Sequence, residues 1–201
     1  MKHGSARVLF DHWNRVRGTR AVPLRSDIEP AAIRPVLRDT FLLAADFLGG
    51  IRFRLAGTRV CALFCREMKG ESFDAQWSDT SRMQIADALL AVVNEGHGIA
   101  AGAIGRTECG AETELKLLLL PLRGDGGARI RALGSLAPPE PPFWLGGRPL
   151  VELELTTLRY IGGAQHSAGP RSSRSPASRR LRHGFMVYAG GREIGPGDEA
   201  Y

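Results

Sequence analysis

The stretch from Ile51 to Phe73, IRFRLAGTRVCALFCREMKGESF, constrains the fold most. Ile51, Phe53 and Leu55 alternate with Arg52 and Arg54, a period of two that predicts a strand with one buried and one wet, cationic face. Gly57 breaks the alternation. From Thr58 onward Val60, Cys61 and Phe64 recur three to four residues apart, the spacing of a short helix with one apolar stripe, and Gly70 closes the unit. A strand turning directly into a short helix is how a sheet acquires a lid, so the rest of the chain is expected to supply more strands and a second lid helix.

Those elements are present. Residues 5 to 17 read as an amphipathic helix with Leu9, Trp13 and Val16 on one face, which either packs on its own domain or contacts a second subunit. Asp27 reads as an N-cap before a short helix through Leu37, with Pro30 in its first turn and Pro35 limiting its regularity. Phe41 to Ala45 is a first strand, joined to Ile51 by a turn at Gly49-Gly50. After a loop containing Trp77, Arg82 to Glu95 is the strongest helix, with an expected inward stripe of Ile85, Ala86, Leu89, Leu90 and Val93. Three strands follow: Ile99 to Thr107, Glu112 to Leu122 and Ala128 to Leu136. In the second, Leu115, Leu117 and Leu119 lie on one face and Lys116, Leu118 and Leu120 on the other. A proline-rich linker at residues 138–142 leads to Leu150–Arg159, which alternates like a strand and whose place in the sheet the sequence leaves open.

The run RFRLAGTRV-ALF-RE-KGESF, preceded by DIEPAAIRPVLRDTFLLAAD (Asp27 to Asp46), resembles a PAS-like domain family of small stand-alone alphaproteobacterial proteins over roughly residues 8 to 160. Cys65 stands where that pattern has a small residue such as glycine. The resemblance implies an α+β fold: a PAS-like five-stranded antiparallel sheet with helices on one face, plus an N-terminal helix and a disordered basic C-terminal tail. The divisions expected are 1–26 for the N-terminal helix and linker, 27–160 for the PAS-like domain and 161–201 for a flexible tail rich in Arg, Ser and Gly. It also implies a sensory or regulatory protein with no effector domain of its own. Such a protein would act through small-ligand binding, through a protein partner or through a homodimer.

Composition narrows the classes. With 43% hydrophobic residues, the 201-residue chain can bury one real core. It has no apolar run near the ~20 residues of a membrane span, and no signal-peptide core. Three cysteines without paired spacing fit a reducing cytoplasm. Seven arginines and no acids lie between Leu155 and Arg192, so removing them from the net charge of +6 leaves the remainder near neutral. The basic character belongs to the tail. The tail lacks the interleaved aromatics of a single-strand binder, so a nucleic-acid-associated regulator remains an alternative function rather than the expected one.

The chain carries no phosphate-cradling loop, nucleophile elbow or zinc spacing. The expected ligand pocket is apolar, with Phe53, Leu55, Val60, Cys61, Phe64, Ile85, Leu89, Val93, Leu117, Leu119 and Ile130 as lining candidates. Leu9, Trp13 and Val16 are the interface candidates. No cofactor is required. His97, between Gly96 and Gly98, is the one candidate axial ligand should a haem be held. Cys61 and Cys65, Glu67 and Glu71, and the cross-strand set Arg52, Arg54, Arg106, Glu112 and Glu114 read as packing or surface pairs. No catalytic residue is expected. A small α+β hydrolase or isomerase using the same cavity would need two ionisable groups converging in it.

Overall fold

A computed structural model describes residues 4–45, 50–124 and 131–161. The Gly49-Gly50 turn, Ile130, and the tail with its arginines and Phe185–Tyr188 run lie outside the described residues in whole or in part. Helix α1 spans Gly4–Arg17, and 3-10 turns cover Arg25–Asp27 and Pro30–Asp39. Strands β1 (Thr40–Ala45) and β2 (Ile51–Ala56) precede α2 (Thr58–Phe64). After a turn at Asp74–Gln76, α3 (Asp79–Leu90) runs into one wide π turn, Ala91–Glu95, closed by Gly96 in the left-handed region. Strands β3 (Gly98–Thr107), β4 (Glu112–Leu122), β5 (Arg131–Ala137) and β6 (Leu150–Ile161) complete the fold.

All pairings within the sheet are antiparallel, in the order β2-β1-β5-β4-β3-β6. The sheet therefore has six strands rather than the five expected. Leu150–Ile161 joins its edge beside β3 because its alternating Leu residues find a buried face there, with Leu153 beneath the Trp77 loop.

Helices also cover both faces, not one. The period-two alternation of β4 sends Leu115, Leu117 and Leu119 to one side and Leu118, Leu120 and Leu122 to the other, and all six are buried. The first side packs against α2 and α3. The second packs against α1 and the Pro30–Asp39 segment, through Leu9, Trp13, Ile33 and Val36. Leu9 and Trp13 are fully buried on their own sheet, and the Trp13 indole N–H donates to Pro121 O at 2.8 Å. Of the two expectations for that helix face, packing on its own domain is the one observed, and Val16 joins the same cluster half-buried. A donor matched to a backbone carbonyl 108 residues away fixes the helix in one position on the sheet.

Asp27 does not cap the following helix. Its carboxylate accepts from Leu24 N at 2.9 Å and pairs with Arg20 at 2.8 Å, closing the turn before it. Asp39 is the buried acid that ties elements together. At 1% exposure it accepts from Ser5 Oγ of α1 at 2.6 Å, and Arg59 Nη1 of α2 lies 3.0 Å from Oδ1. The same Nη1 donates its hydrogen bond to Oδ2 at 3.3 Å, so Oδ1 is held by charge alone.

Candidate functional site

The side of the sheet under α2 and α3 holds one continuous apolar cluster. At its centre four aromatic rings touch in sequence: Phe41 and Phe53 at 5.4 Å between centroids, Phe53 and Phe73 at 5.4 Å, and Phe73 and Trp77 at 5.9 Å. Edge-on and tilted contacts at these distances are favourable ring geometries. Of the expected lining residues, Phe53, Val60, Phe64, Ile85, Leu89, Leu117 and Leu119 all join this cluster and are buried, while Cys61 packs against it half-buried.

Leu55 and Val93 do not belong to it as expected. Leu55 is 53% exposed. The register of β1 with β2 pairs Leu42 with Leu55 and Leu43 with Phe53, so Arg54 is an extra, bulged residue. A bulge breaks the alternation, which sends Phe53 and Leu55 to opposite faces although they are two apart. On α3 the buried stripe is Ser81, Ile85, Ala88, Leu89 and Val92, turned from the expected one; Leu90 is exposed and Val93 only half-buried. The reason is at the helix start. Ser78 Oγ accepts from Ser81 N, and Ser81 Oγ accepts from Leu155 N of β6 at 2.9 Å, which pins the Ser81 face inward. Ile130 lies outside the described residues.

Met68, Phe73 and Trp77 are cluster members that the helix and strand patterns do not reveal, and Phe41 of the expected first strand joins them. A signal existed: Phe73 and Trp77 are bulky apolar residues in an otherwise polar loop. Trp77 is 1% exposed, and its Nε1 has no hydrogen-bond acceptor among the described residues. A buried donor left without an acceptor costs about 1–3 kcal/mol, which makes it an unpaired polar handle in an apolar cluster.

The other expected groups sit elsewhere. His97 follows Gly96 and turns its ring edge-on to Tyr160 at 6.2 Å, outside the aromatic cluster. The geometry gives a haem at His97 no support. Arg106 does pair across strands, with Glu112 at 2.7 Å and with Glu154. Glu67 Oε1 accepts from Lys69 N at 3.0 Å, and Glu71 faces Arg66 at 3.6 Å across an exposed contact. No group of three or more His, Cys, Asp or Glu among the described residues is placed to hold a metal ion.

The cysteines divide by environment. Burial, followed by lesser effects that include the nearby Glu67 carboxylate, pushes the Cys61 thiol up. Cys109, exposed in the β3–β4 turn, is held down by hydrogen bonding from the Thr107 hydroxyl and the Ala111 backbone and by the Arg148 charge. Cys65 is exposed at the end of α2.

Residues 1–137 match the PAS domain family. The chain belongs to that family. PAS domains are sensory and regulatory modules, and the mixed α/β architecture with its antiparallel sheet is the PAS-like fold. The chain is also similar to the crystal structure of the PAS domain of a protein from Colwellia psychrerythraea, at 16% identity and a TM-score of 0.38, covering 55% of this chain and 97% of that one. No curated protein matches it. No helix among the described residues of this PAS domain is long and apolar enough to cross a membrane.

Proposed function

We propose that this PAS domain is a sensory or regulatory module that takes a small, largely apolar ligand into the cluster beneath α2 and α3. The ligand's presence would then pass to a protein partner, or to a second copy of the chain, as a shift of the helix layer. The observation that supports this reading is the buried Trp77 N–H without an acceptor. A ligand bearing one acceptor would relieve that donor, and the apolar walls would take the remainder of its surface. Binding shifts a conformational equilibrium only by the difference in affinity between its two states. A donor satisfied in one state alone supplies about 1–3 kcal/mol of such a difference.

The segment placed to move is α3 with its terminal π turn. Single π turns within helices frequently mark functional positions, and Gly96 at φ +70 gives the turn a flexible end. Native mass spectrometry of the full chain purified from cells tests the reading. A retained small molecule, diminished in Trp77→Phe, is the expected result. A clean unliganded mass together with no stabilisation by a small-molecule extract of the same cells would overturn it.

A further inference from the structure

The sheet face that carries α1 is only partly covered by it. Beyond the helix, over β4, β3 and β6, lies a groove of about 520 Å³ bordered by Gly4 of α1, Pro139, Lys116, Thr157 and Arg159. Its floor is Ala100 and Gly102 of β3. The register explains the shape. Gly102 is paired with Lys116 on one side and Thr157 on the other, and Ala100 with Leu118 and Arg159. All of these side chains therefore stand on one face. The two cations stand on strands either side of β3, about 10 Å apart across the sheet and about 7 Å along it at the backbone. Both are long enough to lean over a floor that has almost no side chains. A Cβ on Gly102 would come within 2.8 Å of Thr157 Oγ1, so only glycine leaves that hydroxyl in place, where it accepts from Gly102 N at 3.0 Å.

The charges on this face are sorted. Arg106 takes up Glu112 and Glu154 at the far end. Among the described residues Lys116 has only a long contact to Glu114, 3.5 Å between two exposed side chains; pairs of that kind contribute about 0–1 kcal/mol and give way readily to a better partner. Arg159 has no carboxylate partner among the described residues. The strand carrying Thr157 and Arg159 also lies beyond residues 1–137, so the groove is built with a part of the chain outside the family match.

We propose that this groove is a binding site for a compact organic anion, its carboxylate or phosphate group held between Lys116 and Arg159 and its apolar body resting on Ala100 and Gly102. A guanidinium and an ammonium flanking one space favour an anionic oxygen group, the guanidinium by paired N–H donors. A floor of Ala and Gly admits a flat body. The site lies on the opposite face of the sheet from Trp77 and goes beyond the function proposed above, so either can fail without the other.

NMR titration of the isotope-labelled full chain tests it, with benzoate, phenyl phosphate and benzyl alcohol as the three probes. Benzoate, phenyl phosphate or both should shift the Ala100, Gly102 and Thr157 amides saturably, and benzyl alcohol should bind at least tenfold more weakly. Whichever acid binds identifies the anionic group. Arg159→Gln and Lys116→Gln should each weaken binding about tenfold, and Ala100→Leu, which fills the floor and keeps both charges, should abolish it. Unchanged melting curves for the two charge variants exclude unfolding as the cause. No saturable shift with either acid at millimolar concentration, equal binding of benzyl alcohol, or binding indifferent to both charge substitutions would overturn the proposal.

Discussion

Replacing Cys65 by glycine should stabilise the protein. Cys65 ends α2 at φ 50 and ψ 31, and it has the only positive φ among the described non-glycine residues. The hydrogen bonds there close the helix end: Cys65 N donates to Ala62 O at 3.4 Å and Arg66 N to Cys61 O at 3.2 Å, the pair that defines a Schellman ending. Its left-handed residue is usually glycine, because a Cβ there costs roughly 1–2 kcal/mol. Glycine returns about 0.5–1 kcal/mol of that through its greater freedom in the unfolded chain. The exposed thiol makes only a weak contact, Sγ to Ala62 O at 3.7 Å, so little else is lost. The net gain should be about 0.5–1 kcal/mol, a rise in melting temperature of about 1–4 °C for a domain of this size. Thermal melts and urea titrations of the wild type, Cys65→Gly and Cys65→Ala measure it. The alanine variant keeps the Cβ and should show no gain. A glycine variant no more stable than the alanine variant, or a urea slope that changes with the substitution, would refute the reasoning.

Four further outcomes follow from the same structure. Gly57→Ala would put a Cβ 2.2 Å from Leu37 O and 2.6 Å from Arg38 O, backbone that cannot step aside, and should cost at least about 3 kcal/mol by urea denaturation. Arg59→Met leaves the Asp39 charge buried with Ser5 alone and should cost about 3 kcal/mol, most of it recovered in the Asp39→Asn, Arg59→Met double variant. His12, 4% exposed on α1, accepts from Arg15 on Nδ1 and has no partner on Nε2 among the described residues. Burial first, and then the Arg15 charge against the weaker pull of Glu29, hold its pKa below 6.5. The unfolded chain therefore binds that proton more readily, and the stability is present above the unfolded value of about 6.5 and is lost as pH falls from there toward the folded pKa; His12→Gln should flatten this part of the pH profile in calorimetry. Iodoacetamide should alkylate Cys109 faster than Cys61, as read by peptide mass spectrometry, because one thiolate is stabilised and the other thiol is kept protonated.

Strand and helix identities are legible because burial of one face of α1 leaves a helical period, while burial of both faces of β4 leaves a short continuous run of leucines bounded by turns. The wrong assignments share a physical cause: periodicity locates a stripe but not the defects that shift it. Leu55 fell on the wrong face because the bulge at Arg54 depends on pairing with β1, which no local pattern encodes. The α3 stripe was misplaced because Ile85 and Leu89 fit either of two neighbouring faces, and the choice is made by the Ser81 bond to a strand 74 residues away. The sequence places Trp77 in a loop but does not show its burial, for a similar reason: burial of a loop residue is a tertiary fact. Cys65 shows the opposite case. Its departure from the family's small residue marks the one backbone position among the described residues where a non-glycine side chain sits at positive φ.

The indole N–H resonances of Trp13 and Trp77 test the central claim most directly, because one is a built-in control for the other. Trp13 already donates to Pro121 O and should stay fixed. If a ligand is received beneath α2 and α3, adding the small-molecule extract of the source cells should move the Trp77 signal downfield and slow its hydrogen exchange. A Trp77 signal that stays unchanged under that extract, in a protein whose native mass carries no bound molecule, would contradict the account.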